Sequence, residues 1–463
     1  SIYKFRGANI ENILGFENQF AEAKVIKLEE NYRSTQSILD AANSVIKNNK
    51  GRKSKSLWTS NGEGERLVLH CGQTEYDEAR FIVDKIELSG RSYNDFAVLY
   101  RMNSQSRVIE DALVRAAIPY RVLGGLRFYD RKEIKDSVAY LRLIFNSDDN
   151  VSLKRIINEP SRKIGKTTVE RLEELSAQNQ KSIFEICKNA GNYPLLQGAA
   201  NRLLEFASLI EGIKGLNQKP LDEFLKAVLT ETRYITELEL ENTVESVTRL
   251  ENIAELINSA KEYEAANEEA SLGGFLENIA LVADVDNYDE TQDAVVLMTL
   301  HSAKGLEFPV VFLAGAEEGV FPSYMSLGSN DELEEERRLC YVGITRAKER
   351  LYLTHAATRT LFGNTSHNRI SRFIGEIPLE LIESTKAYTS QTPQSTQGFA
   401  PSVSKRSAFV PEKPKVKSDL HFEAGERVLH KKFGEGIILK ATSVGDDCRS
   451  EEHTSELQSP NTI

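Results

Sequence analysis

The chain has 463 residues, 40% of them hydrophobic, 27% charged and 8% aromatic, which is too long for one ordinary domain and apolar enough to exclude disorder throughout. No apolar run approaches the ~20 residues of a membrane-spanning helix, and the opening Ser1–Ala8 lacks the apolar stretch of a secretory signal. A net charge of −11, from 58 basic and 69 acidic residues, means that any surface for nucleic acid has to be local.

Short β-branched runs alternate with helical patterns in the first part of the chain. Val25–Leu28, Leu67–Cys71, Phe96–Tyr100 and Tyr120–Leu123 read as strands, with helices at Gln36–Asn48, Glu75–Leu88 and Gln105–Ala117 between them. Such alternation predicts βαβ units and a mostly parallel sheet. Over 131–285 the strand signal disappears. Leu153–Ile157, Thr168–Leu175, Leu195–Ile213, Leu221–Thr230 and Val244–Ala260 repeat apolar residues at three- and four-residue spacing, as helices do. Strands return at Ala294–Leu300, Val310–Ala314 and Leu351–Thr354. The expected layout is an α/β domain whose halves, 21–130 and 286–381, flank a large all-helical insertion.

From 382 to 419 the composition turns to Ser, Thr, Gln, Pro and Lys, which reads as a flexible linker. Within 420–448, Gly425–His430 and Gly434–Leu439 read as the opening hairpin of a small β-barrel, truncated before closure. Residues 449–463 break with that pattern. From Arg449 to Ser459 each residue matches a codon of a widely used sequencing-adapter oligonucleotide, so this stretch is read as translated adapter. The missing initial methionine likewise suggests a fragment. Cys71, Cys187, Cys340 and Cys448 have no pair spacing and fit neither a zinc site nor a disulfide framework; no metal site is expected, and a reducing cytoplasm is the expected location.

Three junctions carry the chemistry. In Glu30-Asn31-Tyr32-Arg33-Ser34-Thr35, Tyr32 can offer its ring to a base and Arg33 can fork onto phosphate oxygens; the plainer reading is a helix start capped by Ser34 or Thr35. The run Thr299–Phe308 looks like a strand-to-helix junction. There Thr299 and Ser302 can hold a nucleic-acid backbone and Glu307 can accept from a ribose hydroxyl, against the plainer reading of His301 and Lys304 as helix caps. Leu333–Ala347 reads as an amphipathic helix with acids leading and Arg346, Lys348 and Arg350 closing, an order the helix dipole itself favours. Arg346 stands out from it, because Gly343 one turn earlier allows a backbone or ligand to approach closely. A fourth candidate is Arg162-Lys163-Ile164-Gly165-Lys166-Thr167, a basic glycine turn before a helix, with Thr167 and Glu170 at capping-box spacing.

Together these segments resemble the UvrD/PcrA/Rep family of superfamily 1 DNA helicases, nearest its bacterial PcrA branch, from Ser1 to about Glu376. Ser1–Ala8 looks like the second half of the family's third motif, Glu30–Thr35 its fourth, Thr299–Phe308 its fifth and Glu336–Ala347 its sixth. Gly124–Phe128 and Lys135-Asp136 match a further segment. The resemblance implies a P-loop NTPase fold in which this α/β domain is the second RecA-like motor domain and the insertion a mobile accessory domain. Residues 1–20 would be a remnant of the first motor domain, and the hairpin after Lys415 the start of a Tudor-like module.

By that resemblance Tyr32 stacks on adenine, Glu307 holds the ribose, and Arg33 and Arg346 are the catalytic arginine fingers on the γ-phosphate of ATP. Tyr3, Phe5, Arg6, Thr299, Ser302 and Phe362 contact single-stranded DNA, His301 couples the DNA and nucleotide sites, and Arg162, Gly165 and Lys166 meet duplex DNA. The implied activity is ATP-dependent 3′–5′ DNA unwinding in repair or replication, with ATP and Mg2+ as cofactors and RNA polymerase as a partner of the C-terminal module.

Departures from the pattern matter as well. The chain has no Gly-x-x-x-x-Gly-Lys-Ser/Thr loop and no acidic magnesium-binding motif, so it is not expected to hydrolyse ATP alone. Ser323 stands where the family usually has a histidine after Val320-Phe321-Pro322. The competing readings are a non-catalytic DNA- or polymerase-binding protein and the helicase arm of a recombination helicase–nuclease.

Overall fold

The computed structural model describes residues 2, 16–20, 22, 24, 26–50, 56–216, 218–284, 293–361 and 364–385, with the strand backbone of 427–430, 434–444 and 447–454. Contacts divide the chain into units 1–389 and 390–463.

The first unit is built on a seven-stranded sheet of order β3-β4-β2-β5-β6-β1-β9, with every pairing parallel. The strands are β1 (Leu67–Gly72), β2 (Phe96–Tyr100), β3 (Tyr120–Leu123), β4 (Val295–Thr299), β5 (Phe308–Leu313), β6 (Ala347–Ala356) and β9 (Ile382–Ser384), while β7 (Arg359–Leu361) and β8 (Asn364–Ser366) pair antiparallel apart from that sheet. A central parallel strand is covered on both faces, and β2 is accordingly buried at every position. One face packs Leu69, Ala97, Leu99, Val296, Met298 and Val311 beneath the helices Gln36–Ile46 and Asn330–Ile344. The other packs Val68, Val98, Leu297 and Phe312 against Glu75–Ser89 and Ser106–Arg115.

Between β3 and β4 the described residues include nine α-helices, from Lys132–Phe145 to Leu272–Asp284, around a separate apolar core. Their seam with the sheet region is polar and partly ionic. Buried Arg107 donates to Glu255 at 2.7 Å and to Glu262 at 3.1 Å, and Arg131 donates to Asn252 and to Ser106, both at 2.8 Å.

Four sequence expectations need correction. Of the expected strand Val25–Leu28, the described residues Ile26–Leu28 form no strand, and Ile26 and Leu28 are exposed; the nearest pairing among the described residues is a bridge from Glu30 to Trp58. Leu300–Gly305 is a turn rather than a helix start, because the chain must run straight back to begin β5 and Gly305 adopts φ +94°. The helix over the sixth segment runs Asn330–Ile344, earlier than read. The first three residues of the expected linker pair with β1 as the edge strand β9.

In the second unit, β10 (Arg427–His430), β11 (Gly434–Val444) and β12 (Asp447–Thr454) form an antiparallel sheet. β12 passes the boundary placed after Cys448, since a ladder is made by backbone groups whatever the side chains.

Candidate nucleotide and nucleic-acid site

Two adjacent parallel strands, β5 and β6, start together in register, Phe308 beside Ala347. Glu307 immediately precedes the first and Arg346 the second, while Lys348 lies just inside β6. Arg33 arrives from far earlier in the chain. Asn31 closes a turn by accepting from the amides of Arg33 and Ser34 at 2.8 and 2.9 Å. Ser34 then donates its hydroxyl to the Ala347 carbonyl at 2.7 Å, and the Thr35 amide donates to the Lys348 carbonyl at 3.1 Å. This stitching delivers Arg33 to Glu307, with which it forms an ion pair. Ser34, read as a possible helix cap, fastens to β6 instead, and Thr35 stands at the N-cap without a side-chain cap bond.

Lys348 Nζ reaches the other Glu307 oxygen at 2.9 Å. The Lys348 hydrogen bond first, and Arg33 second, hold the Glu307 carboxyl below its ordinary range, so it is ionised at neutral pH. Arg346 differs. It is 8% exposed, and its guanidinium donates to the carbonyls of Val342 (2.9 Å) and Leu306 (2.8 Å) and to the Thr345 hydroxyl (3.1 Å). Among the described residues no carboxylate lies within ion-pair distance of it. Burial first, then the Arg33 charge, pull its pKa down to about 10, which leaves it charged at neutrality. Arg33, Arg346, Lys348 and Glu307 thus set three positive charges against one negative, a balance that suits a polyphosphate. Tyr32 stands beside them with 82% of its surface exposed.

Gly343 corrects an expectation. A Cβ there would meet Leu300 Cδ2 at 2.5 Å and Leu313 Cδ1 at 3.1 Å, so the glycine admits the sheet's own core rather than a ligand.

The segment Thr299–Glu307 joins this cluster to the opposite end of the sheet. Thr299 closes β4 at its carboxyl end and its hydroxyl lies 3.0 Å from that of Ser302. Gly124, at φ +74° just after β3, approaches so closely that a Cβ would sit 2.7 Å from the Ser302 hydroxyl. Half-buried His301 lies between Thr299 and Ser302 in sequence. Buried Leu300 and Ala303 anchor the crossing to the core. The residues read as one ligand site at a strand's carboxyl end therefore divide, with Thr299, His301 and Ser302 at one end and Glu307 at the other.

Sequence reasoning missed Arg101, which follows β2 at that same carboxyl end. Its fork grips Glu336 at 2.8–3.1 Å, and Glu336 also accepts from the Ser323 amide at 3.1 Å. A charged residue directly after a buried strand was the available signal. Also missed was a buried cluster in which Arg359 pairs with Glu78 and Glu317, for which no local signal exists.

In the helical region Arg162 turns inward. It donates to Tyr140 at 2.8 Å and to the carbonyls of Ile156 (3.1 Å), Pro160 (3.2 Å) and Thr232 (3.3 Å), so its fork serves the fold rather than an outside ligand. The adjacent helix, Lys166–Asn179, has Gly165 as its N-cap with no side-chain cap, so the expected Thr167–Glu170 capping box does not form. Gly165 and Lys166 are exposed. Tyr3, Phe5, Arg6 and Phe362 lie outside the described residues.

The chain belongs to the UvrD-like helicase C-terminal domain family, which matches residues 26–358. Among curated proteins it is 44% identical over 458 residues to the ATP-dependent DNA helicase PcrA of Bacillus subtilis, covering 96% of this chain and 62% of that protein. It is 46% identical over 447 residues to PcrA of Staphylococcus aureus, covering 95% and 61%. The chain therefore spans about three-fifths of the length of these relatives. Among solved structures, the C-terminal domain of a "possible DNA helicase" from Lactobacillus plantarum WCFS1 covers 77% of this chain and 99% of its own. At 11% identity and a TM-score of 0.31 it is too distant to bear on fold or site.

Proposed function

We propose that this chain forms the second motor domain and accessory region of an ATP-dependent 3′–5′ DNA helicase acting on single-stranded and duplex DNA in the cytoplasm. The observation that carries the reading is the convergence of Arg33, Glu307, Arg346 and Lys348, from three separated segments, into one cluster with surplus positive charge. ATP would supply the anhydride whose cleavage drives the motor. Arg33 and Arg346 would stabilise charge on its γ-phosphoryl group, ionised Glu307 would accept from a ribose hydroxyl, and Tyr32 would offer its ring to the base.

Thr299, His301 and Ser302 would face the single strand at the far end of the sheet, joined to Glu307 by one short crossing. Residues 131–285 would be the accessory region and the exposed turn at Gly165 and Lys166 its duplex contact. The hairpin after Lys415 would open a Tudor-like module that meets RNA polymerase. Because the chain has neither a phosphate-cradling glycine loop nor the acidic magnesium motif, the purified chain should show no DNA-stimulated ATPase above background. Joined to the N-terminal part of a PcrA relative, it should gain that activity. Turnover by the purified chain itself, or none in the joined protein, would contradict the reading.

A further inference from the structure

The chain's one tryptophan, Trp58, is 49% exposed, an unusual position for its largest apolar side chain. Its backbone is nevertheless held firmly. The Trp58 amide donates to the Glu29 carbonyl at 3.1 Å and its carbonyl accepts from the Asn31 amide at 2.8 Å, which makes the parallel bridge between Glu30 and Trp58. Both neighbours are clamped by the helix Gln36–Ile46. Asn43 donates to the Leu57 carbonyl at 2.8 Å and accepts from the Leu57 amide at 3.1 Å, and Gln36 accepts from the Thr59 amide at 3.2 Å. Leu57 is buried, so the side chain between the clamps is the one turned out.

Glu30 is the bridge partner of Trp58, and Tyr32 follows two residues later, in the turn that Asn31 closes by accepting from the Arg33 and Ser34 amides. The bridge thereby sets an exposed indole alongside the segment that bears the exposed Tyr32 and the Arg33 that pairs with Glu307. Two exposed aromatics on neighbouring, hydrogen-bonded segments each offer a ring face to a flat ligand.

We infer that Trp58 is a second aromatic contact for the purine base of a nucleoside triphosphate, working with Tyr32. This rests on the nucleotide reading of Arg33 and Arg346, and the test separates the two. The full chain is titrated with mant-ATP while two signals are followed, polarisation of the mant group and emission of Trp58. Both should respond at the same concentration, and unlabelled ATP should reverse both. Trp58→Ala should weaken mant-ATP binding about tenfold, within the range for losing one base–aromatic stack, whereas Trp58→Phe should retain most of the affinity. Inorganic tripolyphosphate should bind wild type and both variants alike.

A polarisation change with unaltered Trp58 emission would overturn the inference and leave the nucleotide reading intact. Equal loss of mant-ATP and tripolyphosphate in Trp58→Ala would overturn it too, showing Trp58 to be a packing residue. Failure of the wild-type chain to bind either probe would overturn both.

Discussion

Two buried arginines at opposite ends of the same sheet have opposite surroundings. Arg359 is 4% exposed and lies between two carboxylates. It pairs with Glu78, and with Glu317 at 2.6 Å, while Glu78 also accepts from the Gly315 amide and the Thr354 hydroxyl and Glu317 from the Ala356 amide and Asn368. Burial opposes its charge, but Glu78 and then Glu317 carry its pKa above the ordinary value. Arg346 is almost as buried, yet it meets only carbonyls and a hydroxyl, has a second arginine nearby, and has its pKa lowered. A saturated charge belongs to the fold. A buried charge left short of an anion fits the phosphate role proposed for Arg346.

That contrast should appear first in stability. Arg359→Ala leaves two buried carboxylates unpaired and should cost about 3–5 kcal/mol in urea unfolding. A loss below about 1 kcal/mol would put Arg359 in the same class as Arg346. Gly343→Ala, which forces a methyl group onto Leu300 and Leu313, should cost about 1–3 kcal/mol, and a neutral result would revive the idea of a ligand approach there. Arg346→Ala should cost no more than about 1 kcal/mol, because relief of the crowding with Arg33 offsets the lost hydrogen bonds.

The smallest effect concerns Glu307, whose side chain is 37% exposed and whose pairing is screened by water. Its folded-state pKa lies below the ordinary 4.5, so its contribution is present above that value and fades as pH falls through the lowered one. Melting temperatures of wild type and Glu307→Gln should differ slightly at neutral pH and converge in acid. A gap that widens below pH 4.5 would reverse the sign.

Much of the sheet was legible in the sequence. Phe96–Tyr100 and Tyr120–Leu123 are isolated runs rich in β-branched and aromatic residues, and they form β2 and β3 at those bounds. Arg33, Glu307 and Arg346 were legible as candidates, since each stands just before a strand or helix, where side chains gather at one end of the sheet. Their mutual placement was not, because register between distant strands is set by the whole core. Ile26–Leu28 misled because an apolar run says nothing of whether a partner strand stands beside it. Gly343 misled because glycine signals close approach but not what approaches. Arg359 and Glu78, 281 residues apart, carry no local pattern, and either would pass for a solvated surface charge.

The sharpest test sets Arg346 against DNA binding in the protein joined to a PcrA N-terminal part. Arg346→Ala should lower DNA-stimulated ATPase by roughly 10³-fold or more, as for other arginine fingers, and Arg346→Lys should rescue it poorly for want of the planar fork. Affinity for single-stranded DNA, measured on the same variants, should stay near that of the unmutated protein. Equal loss of ATPase and DNA affinity would place Arg346 on the nucleic acid and contradict the account.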